Sequence, residues 1–362
     1  MPKLFFPVCL IALVSFGCWG QSSPAGTAQP SPIKETMPAS ILHLTPVETT
    51  TAPAEVATGF TDLACDSDGN LYLASDVPSS AIRKLNAKGE LVAIFQADAN
   101  PDIKVWGSGS FAVAQDGEVY HWVGAKTEIT RYVLVFKPDG NYKSAIKLQP
   151  GFPWIPASIA VFANGTLLMT GQEYAPEHGK PMLPFTGIFS ADGRLLKEVS
   201  LEDDEKLYGM AVAHDPHVTS SMNPTGNRAV SWGRMEAAKD GNVYVMRWLT
   251  PAVIYAVSPG GEVVRRFTVD AGRDDLMPVQ MHVAGNRIAL LFTQPHTGEK
   301  VIKVVDLDGK ELATYDELRE HGKPKLGTLG SAFACYTLNP ERFTFLVTTD
   351  DHRIQLKQVE GR

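Results

Sequence analysis

Phe60-Thr-Asp-Leu-Ala-Cys-Asp-Ser-Asp-Gly-Asn-Leu-Tyr-Leu-Ala-Ser75 reads as an apolar run, an Asp68-Gly69-Asn70 turn and a second apolar run. Asp-Gly between apolar runs is a strong hairpin signal, because the turn needs a positive φ that glycine adopts without steric cost. Further along comes a second turn, Ala87-Lys88-Gly89-Glu90, with a strand on either side. Residues 59–100 are thus a unit of four short strands.

The unit recurs, and recurrence at a fixed period is read before any single strand. First turns fall at Asp68-Gly69, Asp116-Gly117, Asn164-Gly165, Asp240-Gly241, Gly285-Asn286 and Asn339-Pro340. The first three glycines are 48 residues apart. Second turns fall at Gly89, Gly140, Gly193, Gly261 and Gly309. Several of the strands after the first turns (among them Asn70 to Ala74, Asn242 to Met246 and Arg287 to Phe292) are apolar at consecutive positions, as strands covered on both faces are. The outer strands (Leu91 to Phe95, Val263 to Val269) alternate and carry more charge, as exposed edges do.

Four antiparallel strands per unit and six units give an all-β, six-bladed β-propeller over 41–362. The sixth unit lacks its last strand. Ile41 to Glu48 alternates and precedes the first unit, so it is expected to pair with 352–359 and close the ring. Two insertions break the regularity, at 172–184 and 202–230, and long loops on a rigid scaffold often carry function.

The motifs Asp66-Ser-Asp-Gly-Asn-Leu-Tyr-Leu-Ala74 and Ala237-Ala-Lys-Asp-Gly-Asn-Val-Tyr-Val245, each followed by an x-Gly-Glu hairpin, resemble the NHL-type and TolB-like six-bladed propellers. The resemblance covers about 41–362 and is specific for fold. That superfamily includes binding modules, metal-dependent hydrolases and lactonases, so it implies a fold rather than one activity. Lactonase-like members gather a Glu, an Asn and an Asp from separate inner strands around one divalent ion. The matching positions here are Ser110-Phe111, Ser158-Ile159, Met235-Glu236 and Met281-His282. Only Glu236 and His282 could ligate, so the pattern is not reproduced.

Composition limits the partners. The formal charge is −7 and no Lys/Arg cluster of five occurs, so nucleic acid, which needs a basic stripe, is not an expected ligand. Lys3, the apolar run Leu4 to Phe16 and the small residues Gly17, Cys18 and Gly20 follow signal-peptide order. The run is too short for a membrane span. The expectation is a signal peptide over 1–20 and an exported protein, periplasmic, cell-surface or secreted. A cut before Cys18 would instead create a lipid anchor there, although bulky Phe16 suits that site poorly. Residues 21–40, rich in Ser, Pro, Ala and Thr, read as a flexible linker.

Candidate chemistry is sparse. Asp66-Ser-Asp-Gly resembles the start of a Ca²⁺ loop, but the closing position is Val77, which leaves a turn. His214-Asp215-Pro216-His217 offers ligands without a third nearby. Trp106, Trp154 and Trp232 each stand just before an inner strand, where they would gather at one mouth of the ring and stack on a planar ligand. Arg234, Glu236 and Arg247 would add polar contacts there, with His282 nearby. The competing reading is packing between blades for the tryptophans and solvated charge for the rest. Cys65 and Cys335 occupy similar positions in the first and last units, neighbours if the ring closes. A disulfide there suits an exported protein but needs Cα atoms within about 7 Å; two buried thiols are the other reading.

The reading that follows is a non-catalytic binding or scaffold module, using one face and the 202–230 loop to take a protein, peptide or carbohydrate ligand. It needs no cofactor. The alternative is a metal-dependent hydrolase or lactonase holding a divalent cation in the central channel.

Overall fold

The structure is a computed structural model that describes residues 41–54, 56, 60–74, 81–125, 130–173, 183–201, 234–317, 319–320, 323–324 and 331–361. The expected signal peptide, the linker, Trp232, the His214–His217 stretch and the 202–230 insertion lie outside these residues. Every described element is a strand. Among the described residues no helix is long and apolar enough to cross a membrane.

After β1 (Ile41–Thr51), the quoted stretch forms β2 (Asp62–Cys65) and β3 (Leu71–Ala74). Gly69 sits at φ +78°. Its N–H donates to the Asp66 carbonyl at 3.1 Å, and the Asp66 carboxylate accepts the N–H groups of Asp68 and Asn70, both at 3.0 Å. The Tyr72 hydroxyl adds a bond to Asp66 at 3.0 Å. Asp66 therefore spends its oxygens on the turn, which is what the sequence reading required.

β4 (Ile82–Leu85) and β5 (Leu91–Phe95) complete a sheet in the order β2-β3-β4-β5. Three more sheets repeat it. They are β6 (Val105–Val113), β7 (Val119–Ala125), β8 (Arg131–Phe136) and β9 (Tyr142–Lys147); β10 (Trp154–Val161), β11 (Leu167–Glu173), β12 (Leu183–Phe189) and β13 (Leu195–Glu198); and β14 (Arg234–Ala237), β15 (Val243–Arg247), β16 (Ala252–Val257) and β17 (Val263–Val269).

The remaining strands are β18 (Met277–Ala284), β19 (Arg287–Thr293), β20 (Lys300–Asp306), β21 (Glu311–Glu317), the short pair β22 (Arg319–Glu320) and β23 (Lys323–Pro324), then β24 (Ser331–Leu338), β25 (Glu341–Thr348) and β26 (Ile354–Gly361). Apart from the short pair, they join β1 in one eight-stranded sheet, ordered β18-β19-β20-β21-β1-β26-β25-β24. β1 pairs antiparallel with β26, from Leu44↔Gly361 to Thr51↔Gln355. It also runs parallel to β21 over Ile41 to Leu44, a second contact that the sequence does not announce. The two sulfurs of Cys65 and Cys335 are bonded, with Cα atoms 5.4 Å apart. β2 and β24 therefore approach within disulfide reach.

The inner strands neighbour one another in cyclic order: β2, β6, β10, β14, β18, β24 and back to β2. Five apolar clusters fill the spaces between successive sheets, and a sixth lies within the eight-stranded sheet. One of them joins Leu291 and Ile302 to Phe343 and Phe345, so the two halves of the eight-stranded sheet pack on each other. β3 and β16 are buried at every position, whereas β17 alternates. This is a β-propeller, radial sheets around a channel. Antiparallel order puts the tight glycine turns at one end of the ring, the turn face. The connections between sheets open at the other end, the entry face.

Candidate functional site

Asp62, Ser110, Ser158 and Arg234 each stand seven residues before a turn glycine, at Gly69, Gly117, Gly165 and Gly241. They occupy the same level on four inner strands and form a polar belt toward the entry end. Arg234 organises it. Its Nη1 donates to Asp62 Oδ1, and its Nε and Nη2 donate to Gln280 Oε1 at 3.1 and 3.0 Å. β2 and β14 are three steps apart either way round the ring, so the Asp62–Arg234 pair crosses the channel. Asp62 Oδ2 also accepts the Phe111 N–H at 3.4 Å.

Two residues further down each strand are Ala64, Ala112, Ala160 and Glu236. Glu236 is the charged exception, and it is consumed locally. Its Oε1 meets His282 Nδ1 at 2.9 Å and its Oε2 accepts the Val283 N–H at 2.6 Å. His282 Nε2 meets the Phe333 carbonyl at 3.2 Å. Both ring nitrogens thus meet an oxygen. The chain Glu236–His282–Phe333 ties β14, β18 and β24 together.

His121, on β7, is wholly buried, and neither ring nitrogen makes a hydrogen bond of good geometry. Burial pushes its pKa down to about 4, against the smaller opposing effects of the Gly109 backbone and the Asp62 charge. It is a neutral imidazole inside the wall rather than a group in the channel.

Trp106 and Trp154, the two described members of the expected tryptophan set, do not gather. Trp106 is 74% exposed at the entry end of β6. Trp154 is buried, stacked on Phe189 with centroids 5.4 Å apart and edge-on to Phe185. It packs between sheets, so the expected mouth contact is corrected for this residue. Arg247 is also buried, on β15, and offers no open guanidinium. Arg234 keeps its place at the mouth, whereas Glu236 and His282 lie one level deeper. Sequence reasoning placed Ser110 on an inner strand but missed Asp62 and Gln280; counting back from the turn glycines would have found Asp62.

Among the described residues, no group of three or more His, Cys, Asp or Glu side chains converges as a metal site would. Glu236 and His282 are engaged with each other and with the backbone of Val283 and Phe333, and no third ligand joins them among the described residues.

No protein-family model matches the sequence, and no curated protein matches it. Similar solved structures include a protein of unknown function from Bacteroides caccae, 14% identical over 71% of this chain and 81% of that one, with a TM-score of 0.43. A Dos1 propeller is 11% identical over 83% and 78%, with a TM-score of 0.42. The PQQ-bound aldose sugar dehydrogenase from Streptomyces coelicolor is 11% identical over 89% and 98%, with a TM-score of 0.47.

Proposed function

We propose that the chain is an exported, six-bladed propeller acting as a non-catalytic binding or scaffold module through its entry face. The blade count rests on reading the eight-stranded sheet as two blades bridged by β1, with an apolar cluster between them. Export is supported by the signal-like run at 4–16 and by the Cys65–Cys335 bond, since disulfides persist in oxidising compartments. The partner is a protein, peptide or carbohydrate, with the 202–230 insertion as part of the surface.

Trp106 carries this reading. Leaving a tryptophan largely in water forgoes burial worth ~2–3 kcal/mol, a cost that a ligand would remove. Ile155 and Val279, also exposed, stand toward the entry ends of β10 and β18. The test is a panel of peptides and oligosaccharides titrated against wild type and Trp106→Ala, read by tryptophan fluorescence and calorimetry. Binding that Trp106→Ala weakens supports the reading. Binding with equal affinity in both proteins, or none at all, overturns it. The hydrolase alternative is settled by metal analysis of protein purified without chelator, together with an esterase and lactonase panel.

A further inference from the structure

The polar belt has more donors than acceptors. Asp62 already accepts three times: Oδ1 from Arg234 and from the Leu63 N–H at 2.9 Å, and Oδ2 from the Phe111 N–H at 3.4 Å. Gln280 Oε1 accepts twice from Arg234, which fixes the amide orientation, because a flipped amide would set N–H against guanidinium. Gln280 Nε2, the donor of the same amide, is therefore not spent on Arg234. That amide is buried, the residue being 8% exposed, and the nitrogen has no hydrogen-bond partner among the described residues. Ser110 Oγ, at the same level, is likewise buried and without a partner among the described residues. Arg234 has five N–H groups, and three of them are used on Gln280 and Asp62. A buried donor without an acceptor costs about 1–3 kcal/mol, so this arrangement suits an acceptor-bearing occupant.

Asp62 indicates which acceptor. Its carboxylate already sits on the Arg234 guanidinium, reaching across the channel from the opposite strand. Neither group is sealed off: their side chains are 11% and 24% exposed. We propose that the belt is a carboxylate-binding site, in which a ligand carboxylate displaces Asp62 from Arg234 and takes the free donors of Gln280 and Ser110. Asp62 then acts as an internal competitor, and its release exchanges one carboxylate for another at the guanidinium. The net charge of −7 disfavours polyanions at long range, so the ligand is a monocarboxylate. This inference rests on the entry face being the binding face.

Calorimetric titration with acetate, glucuronate, glucose and inorganic phosphate tests it, using wild type, Asp62→Asn, Arg234→Gln and Gln280→Leu. The two ion-pair variants should move in opposite directions. Asp62→Asn should bind acetate and glucuronate about tenfold more tightly than wild type, and Arg234→Gln should lose binding. Gln280→Leu leaves the Asp62–Arg234 pair in place and should weaken binding several-fold, which keeps the test decisive if an ion-pair variant fails to fold. Equal or weaker carboxylate binding by Asp62→Asn overturns the proposal, as does unchanged binding by Arg234→Gln or no carboxylate binding in any protein. Preference for phosphate over acetate also overturns it. Glucose binding indifferent to Arg234 would sink the carboxylate site and leave the binding-module reading standing. Failure of every ligand, here and in the peptide and oligosaccharide panel, would sink both.

Discussion

Asp62 and Arg234, 172 residues apart in the chain, hold opposite sides of the channel together by an ion-paired hydrogen bond. Neighbouring inner strands touch in cyclic order, whereas this pair spans the channel. Deleting either side chain strands a half-buried charge, which should cost about 2–3 kcal/mol. Asp62→Ala and Arg234→Ala should each lower urea-unfolding stability by that amount. The double variant should lose less than the sum, with a coupling of about 1–2 kcal/mol. Additive losses would mean that the pair does not work as a unit.

The disulfide acts at the seam. It links positions 270 residues apart, between the first and last inner strands. Cross-linking so long a loop constrains the unfolded chain strongly, and losing a native disulfide typically costs about 2–4 kcal/mol. The lower part of that range is expected, because β1 also ties the ends through β26. Cys335→Ser and reduced wild type should show the same fall in Tm. A reductant that lowers Tm no further in Cys335→Ser confirms that this bond is the one being broken.

β1 supplies the other closure. Leu44 is buried at the point where β1 passes from β21 to β26, among Tyr315, Phe343 and Val359. Truncating a buried leucine costs about 2–5 kcal/mol. Leu44→Ala should therefore destabilise strongly, whereas Val47→Ala, at an exposed bulge of the same strand, should be near neutral. Equal effects at both positions would contradict the register.

Much of this was legible beforehand, for local reasons. The turn glycines mark the hairpins because positive φ is a single-residue requirement, and Gly69, Gly117, Gly165 and Gly241 all meet it. The pairing of β1 with the C-terminal strand follows from one missing and one surplus strand. The site was less legible because it depends on which strands face each other across the ring. Trp106 and Trp154 make the point. Each stands four residues before a belt serine, Ser110 and Ser158. Trp154 pairs in register with Glu173 and packs inward, whereas the ladder slips at Trp106, between Val105 and Gly107. A one-residue slip sends a side chain to the other face, and no repeat alignment reveals it.

His121 gives a pH signature with a definite sign. Its folded pKa, about 4, lies below the ordinary 6.5 because burial disfavours the charged ring. Between those values the unfolded chain binds a proton that the folded chain does not, so stability rises with pH across this window. The contribution is complete above about pH 6.5 and lost as pH falls toward about 4, worth ~3 kcal/mol in all. His121→Leu should be less sensitive to acid than wild type over that window. The difference between their stability–pH curves isolates this group from the carboxylates, which titrate in both proteins. Parallel curves would place the imidazole's proton elsewhere.

Gly109 is required by close approach rather than by φ. A Cβ built there would lie 1.9 Å from Trp122 Cζ2, and 2.1 and 2.5 Å from Cε2 and Nε1. The indole rests on the bare backbone where the β6–β7 register shifts between Ser108 and Phe111. Gly109→Ala must push the ring or the bulge aside, an overpacking cost of about 1–3 kcal/mol. If the indole is the obstacle, Trp122→Leu should itself destabilise and should also make Gly109→Ala nearly neutral. That non-additivity, read from denaturant midpoints of the four proteins, separates a steric cause from a backbone one. Full additivity would show that alanine at 109 strains the bulge and not the ring.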